Sequence, residues 1–151
     1  MSTVKQIRRA RLSDLESLAK LFDTYRIFCG RDSDISLAKK FLTDRFTKQE
    51  SVIFVAESDD GALIGFNQLY PKFSSVFAKR VWILNDLYVS NDYRKLGIAK
   101  NLIQQALEFC RETKSGWVEI QTPKHNQASQ ALYKRMGFVK ENYFDEFVFQ
   151  L

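Results

Sequence analysis

The chain has 151 residues, 45% hydrophobic, 14% aromatic and 27% charged, a mix that belongs to packed globular proteins and excludes disordered, collagenous and linker-like chains. Lys and Arg exceed Asp and Glu by 23 − 18 = +5, which suits an anionic partner or cofactor, and no apolar run approaches the ~18 residues needed to span a bilayer. Two cysteines, Cys29 and Cys110, are too few for a disulfide framework or a four-ligand zinc site and fit a reducing compartment. The charged stretch 1–11 has no apolar leader segment, so the expectation is one cytoplasmic domain over 1–151, without membrane association or metal.

A short strand-like run at 6–10 comes first. Ser13-Asp14-Leu15-Glu16 reads as a capping box opening a helix whose apolar positions Leu15, Leu18, Leu21, Phe22 and Tyr25 recur at helical spacing. A second helix is expected over 35–46, with Ser33 or Asp34 as its cap and Ala38, Phe41, Leu42 and Phe46 facing inward. At Ser51 the period changes. Strands at 52–56 and 63–70, joined through Ser58-Asp59-Asp60-Gly61, form an antiparallel hairpin, and 70–75 reads as a loop. The apolar strand 81–89 suits a position covered on both faces. A long helix over 97–113 carries the stripe Ile98, Leu102, Ile103, Ala106, Leu107 and Cys110. A strand at 117–122, a short helix at 128–136 stopped by Gly137, and a last strand at 144–151 complete the chain. The sum is an α/β fold: a mixed, mostly antiparallel central sheet of about six to seven strands flanked by about four helices.

The junction Leu87-Tyr88-Val89-Ser90-Asn91-Asp92-Tyr93-Arg94-Lys95-Leu96-Gly97-Ile98-Ala99-Lys100 passes from a strand through a turn into the long helix. The first N–H groups of a helix lack internal partners and sit at the positive end of its dipole, so an anion can take both. Gly97 and Ala99 keep side chains clear, while Arg94, Lys95 and Lys100 add positive charge. A solvated basic turn before an ordinary helix has the same residues, and this fragment alone does not separate the two readings.

About thirty residues later Asn126-Gln127-Ala128-Ser129-Gln130-Ala131-Leu132-Tyr133-Lys134-Arg135-Met136-Gly137-Phe138 follows the next strand. In this order, with Ile83-Leu84-Asn85-Asp86-Leu87-Tyr88-Val89, the motifs resemble the GNAT superfamily of N-acetyltransferases. The likeness is clear over 62–138 and architectural before that; the hairpin and the loop after it look most like the spermidine/spermine acetyltransferases and related bacterial enzymes. The resemblance implies a GNAT fold and acetyl-CoA as co-substrate. Backbone groups of Leu87, Tyr88 and Val89 would pair with pantetheine, Arg94 and the amides of Lys95, Leu96, Gly97, Ile98, Ala99 and Lys100 would hold the pyrophosphate, and Asn126 and Ser129 the cofactor arm. It also implies Tyr133 as the general acid for the departing thiolate; from its own helix, beside Leu132 and Met136, Tyr133 reads as a core residue.

Acetyl transfer to an amine needs a neutral nitrogen, a stabilised oxyanion and a proton for sulfur. An alkylamine of pKa about 10.4 is overwhelmingly protonated at neutral pH, so a base, or a water leading to one, belongs beside the substrate. The polyamine branch usually carries a glutamate where this chain has Asn85, which leaves three candidates: Asp86 if a bulge re-aims it, a water positioned by Asn85, or Glu119. Lys95 stands where the family usually has a glycine, and Asn91 where a proline is common. His125 reads as a surface or loop histidine, and neither cysteine has a nucleophile's neighbours.

The acceptor cleft implied by the resemblance is lined by Tyr25, Arg26, Tyr70, Lys72, Phe73 and Ser74. Its basic residues favour an acceptor bearing a carboxylate or phosphate over a polyamine. The expected partner is a small-molecule amine, with a protein or peptide amine as the other option and a homodimer in keeping with relatives. The alternatives of another class are a nucleic-acid-binding domain using the positive charge, or a regulatory CoA-binding module without turnover.

Overall fold

The computed structural model describes residues 3–151, so the first two positions of the charged stretch read at 1–11 lie outside the described residues. The chain divides into two compact units, one ending at Gln121 and one spanning Thr122–Leu151. The first holds a five-stranded sheet with strands in sequence order: β1 (Val4–Arg9), β2 (Val52–Ser58), β3 (Leu63–Ser74), β4 (Lys79–Val89) and β5 (Val118–Ile120). The first three pairings are antiparallel; β5 joins β4 in parallel. Helices α1 (Leu15–Phe28) and α2 (Ile35–Lys48) lie between β1 and β2 in the chain, and α3 (Ile98–Glu112) between β4 and β5.

Alternation along the strands sorts the core onto two faces. Leu18, Phe22, Ala38 and Leu42 of α1 and α2 bury against Ile53, Val55, Phe66 and Tyr88. Toward α3, Phe109 packs its ring on Phe54 at 5.8 Å and Trp82 at 5.2 Å, and the stripe of Ile98, Leu102, Ile103, Ala106 and Cys110 is buried. Asp34 is the cap of α2, its carboxylate accepting the Leu37 N–H at 2.9 Å, while Ser33 instead donates to the buried Asp23 at 2.7 Å. The entry to α1 differs from the expected serine box. Asp14, closing a single 3-10 turn, accepts the Arg11 N–H at 2.7 Å and both prongs of the Arg8 guanidinium at 2.8 Å. A charge-assisted fork outcompetes a lone hydroxyl at such an end.

Two other expectations are corrected. Of the run 70–75, residues 70–74 are strand rather than loop and Ser75 opens the turn: β3 continues to Ser74 because β4 reaches back to Lys79 opposite it. The strand expected at 144–151 is not formed, and Phe144, Phe147 and Phe149 are exposed; an apolar alternating run becomes a strand only where an edge accepts its ladder. The described residues therefore hold five strands rather than six to seven, with four helices as expected. In the second unit α4 (Gln127–Arg135) is capped by Asn126, whose Oδ1 accepts the Ser129 N–H at 3.1 Å. It ends at Gly137, whose φ of 94° lets the Phe138 N–H reach the Tyr133 carbonyl at 3.0 Å. No helix among the described residues is long and apolar enough to cross a membrane.

Candidate active site

The site is set by an irregularity in β4. Gln68 of β3 pairs with Asp86 and Leu69 with Leu84, which leaves Asn85 as an extra residue. In an uninterrupted strand Trp82, Leu84, Asp86 and Tyr88 would share one face. Here Trp82 faces α3, packing on Phe109 and donating its indole N–H to Thr113 at 2.9 Å. Asp86 and Tyr88 face α1 instead, both meeting Tyr25. The bulge at Asn85 thus brings Asp86 to the side of the sheet covered by α1.

Asp86 is 7% exposed. Its Oδ1 accepts the Tyr25 hydroxyl at 3.0 Å and the Asn85 amide at 3.2 Å, and its Oδ2 accepts the Gln68 amide at 2.9 Å. Burial pushes the carboxyl above the ordinary aspartate range, against the pull of hydrogen bonds from Gln68, Tyr25 and Asn85. Burial and the charge of Asp86 likewise hold the Tyr25 phenol far above its usual range, with Cys29 adding to the effect. Tyr70 is shifted the same way, by burial first and Asp86 second. A carboxylate primed to take a proton is therefore set among phenols that keep theirs.

Beyond Asp86 the outer edge of β4 has no strand partner among the described residues. Pairing with β5 ends at Leu84 and Ile120, and no strand among the described residues continues it along 85–89. The Ser90 N–H bonds the Ile64 carbonyl at 2.9 Å, which fixes the phase of the β3 ladder. By alternation, Leu87 and Val89 turn their backbone groups away from β3, whereas those of Tyr88 point into the ladder. Tyr88 is thereby corrected as a backbone partner for an extended ligand. Its ring instead flanks the Arg94 guanidinium at 5.6 Å, with Phe28 at 5.0 Å. Arg94 also donates its Nε–H to the Val89 carbonyl at 3.1 Å.

After a single 3-10 turn (Asn91–Tyr93) the chain turns through two left-handed residues, Lys95 at φ 63° and Gly97 at φ 80°, into α3. The Asn101 N–H closes the first helical bond on the Gly97 carbonyl at 3.1 Å, so the N–H groups of Ile98, Ala99 and Lys100 precede the internal ladder. An open strand edge followed by unpaired helical amides and the cations Lys95 and Lys100 fits an extended molecule ending in a diphosphate. Asn67, fully buried, fastens α3 to β3 by donating to the Leu102 carbonyl at 2.6 Å. At Gly65 a side chain would come 3.0 Å from the Tyr88 carbonyl, so glycine is needed where β3 passes β4.

The model of the Acetyltransferase (GNAT) family matches residues 15–138, which take in the bulge, the turn and α4. Across 138 residues, 91% of this chain and 92% of the relative, the sequence is 40% identical to YhfO, an uncharacterized N-acetyltransferase of Bacillus subtilis (strain 168). The chain belongs to the GNAT family of N-acetyltransferases. A crystal structure of a probable acetyltransferase matches this GNAT protein with a TM-score of 0.91 at 39% identity, covering 97% of both chains. The ribosomal-protein-alanine N-acetyltransferase of Brucella melitensis biovar Abortus 2308 shares the fold, with a TM-score of 0.77 at 24% identity over 97% of this chain and 98% of its own. Membership makes the protein an acetyl-CoA-dependent acyltransferase whose acceptors are amines, and the non-enzymatic alternatives are set aside.

The remaining candidates of the GNAT site separate into groups. Tyr25 and Tyr70 belong with Asp86. Arg26 is paired with Asp23 at 3.4 Å. Lys72 lies farther along the hairpin and grips both oxygens of Glu119 at 3.0 Å, while Trp117 donates to the same carboxylate at 3.1 Å. Phe73 is exposed beneath the Arg80 guanidinium at 5.1 Å, and Ser74 accepts the Phe77 N–H at the hairpin turn. In the second unit Tyr133 is partly buried, its phenol raised by burial and bonded to the Ser129 side chain one turn earlier. His125 is exposed, Cys29 is exposed, and Cys110 is buried with its thiol pushed up to about 11. Sequence reasoning missed Gln68 and Ser51, although two amides, Asn67 and Gln68, inside the apolar run 64–69 were a readable sign of buried polar work.

Proposed function

We propose that the protein transfers an acetyl group from acetyl-CoA to an amine by direct attack, with Asp86 as the general base and Tyr133 as the general acid. The observation that carries this reading is Asp86 itself: an extra strand residue turns a buried carboxylate of raised proton affinity toward the tyrosines of the cleft. The other two candidate bases have weaker support. Glu119 is neutralised on both oxygens by Lys72, and Asn85 donates an amide N–H to Asp86 itself.

When bound, acetyl-CoA supplies an acetyl group activated as a thioester. The outward groups of Leu87 and Val89 would hold its extended arm, and the amides of 95–100 with Lys95 and Lys100 its diphosphate, while Arg94 braces the turn. Asn126 and Ser129 would hold the arm from α4, Asn126 through its amide N–H, since its oxygen caps the helix. Asp86 takes the proton that frees the amine nitrogen, an outward N–H of β4 donates to the developing oxyanion, and Tyr133 keeps a proton for the departing sulfur. A single acetyltransferase domain over 1–151 is in keeping with a family match that runs from residue 15 to residue 138.

The preferred acceptor is a small-molecule amine presented to Tyr25 and Tyr70. With Arg26 on Asp23, Lys72 on Glu119 and Arg80 stacked on Phe73 and Trp82, the basic residues no longer argue for an acidic acceptor. Asn85, in place of the branch's glutamate, also leaves a polyamine acceptor without its usual carboxylate. The unpaired thiols of Cys29 and Cys110 support a cytoplasmic setting. The test is calorimetry with acetyl-CoA followed by an amine panel of polyamines, amino acids, aminoglycosides and lysine peptides, read by CoA release. Saturable binding and turnover on one class support the reading; no heat at millimolar acetyl-CoA with folded protein overturns it.

A further inference from the structure

A carboxylate offers about four lone-pair sites, two on each oxygen. At Asp86 the two oxygens are used unequally. Oδ1 receives two donors, Tyr25 and Asn85, and Oδ2 receives one, Gln68. Gln68 is fully buried, and its own orientation is determinate. An ionised carboxylate only accepts, so the Gln68 amide nitrogen must face Asp86, which turns its oxygen toward Ser51, whose hydroxyl donates to it at 2.9 Å. Ser51 stands just before β2, Gln68 in β3 and Asp86 opposite it in β4, so the bonds link the entrance of β2 to β4 through β3.

We infer that Oδ2 of Asp86 is the atom that accepts the amine proton, and that Gln68, braced by Ser51, is the positioning residue that aims it. The inference rests on Asp86 being the base. Oδ1 is filled by its two donors, so a proton arriving from substrate meets the remaining capacity on Oδ2, and the single bond from Gln68 sets that oxygen's direction. The groups facing the carboxylate are few: Tyr25 from α1, with Cys29 beside it, Gln68 and Tyr70 from β3, and Asn85 from β4, while Arg45 of α2 reaches the surroundings through Tyr70. All but Arg45 are neutral, so the amide from Gln68 has no nearby charge to substitute for it.

The experiment compares Gln68→Met, Ser51→Ala, Ser51→Thr and Asp86→Asn with the parent protein. Two quantities are read: the acid limb of kcat/KM with acetyl-CoA and the best amine of the panel, and the titration of the Asp86 carboxyl carbon by NMR in the free protein. Gln68→Met should move both upward by about one pH unit and lower the plateau of kcat about tenfold. Ser51→Ala touches Asp86 only through Gln68 and should shift both in the same direction by less, with Ser51→Thr restoring them. Ser51 lies at a strand entrance, so its variants keep the test alive if Gln68→Met does not fold. Limbs and titrations that stay put in Ser51→Ala, whatever happens to melting temperature, overturn the positioning role while leaving Asp86 as the base. An acid limb that survives Asp86→Asn overturns both.

Discussion

Burying Asp86 should cost stability, and the cost should depend on pH in a known direction. The folded protein holds this carboxyl proton more tightly than the unfolded chain, whose aspartate titrates near 3.8. Below that value both states are protonated and the site carries no penalty. As pH rises, the unfolded chain ionises first, and folded stability falls until Asp86 ionises too, after which the deficit stays level. Each pKa unit of elevation corresponds to about 1.4 kcal/mol, and for a chain of this size 1 kcal/mol moves the melting temperature by about 2–4 °C. Asp86→Asn removes the titration. It also disturbs the bonds to Gln68, Tyr25 and Asn85, a loss of about 1–3 kcal/mol that does not vary with pH. The Tyr25 hydroxyl can rotate to accept from the new amide, which keeps the variant foldable. Paired urea titrations between pH 4 and pH 8, near the range in question, should show the variant gaining on the parent as pH rises and then running level with it. Turnover at neutral pH should drop by about 10²–10⁴ in the same variant. A stability difference that is flat across that range would refute the claim that burial dominates at Asp86.

Tyr133→Phe should lower kcat by about 10² while leaving acetyl-CoA binding by calorimetry unchanged; an unaffected kcat would return Tyr133 to a packing role. Lys95→Gly should relieve a left-handed residue and stabilise the fold by up to about 1 kcal/mol, while weakening acetyl-CoA binding most at low salt, where the lost charge counts most. Melting curves together with calorimetry at two salt concentrations check both halves. Gly65→Ala forces a side chain against the Tyr88 carbonyl at 3.0 Å and should destabilise by about 1–3 kcal/mol in urea unfolding.

The long amphipathic stripe of α3, the cap at Asp34 and the glycine stop at Gly137 were legible because each depends on neighbours within a turn or two of the chain. The turn into α3 was legible for the same reason, and Lys95 in it adopts a conformation that suits glycine. The entry to α1 was misread because Asp14 is claimed by Arg8, which reaches it from β1 with geometry no local box could reveal. The tail at 144–151 was misread because its alternation states a capacity to pair, and pairing requires an edge supplied from elsewhere.

The proposed base illustrates the division most sharply. Residue types and their order were enough to name the family resemblance and to narrow the proton acceptor to three positions. The proposal of Asp86 among them rests on the register between β3 and β4, since a single extra residue reverses which face every later side chain occupies. It also rests on the ion pair that occupies Glu119 across 47 residues of sequence. Local order carries propensity and motif; proton affinity depends on burial and on which distant groups arrive beside a carboxylate, and only the folded chain sets those.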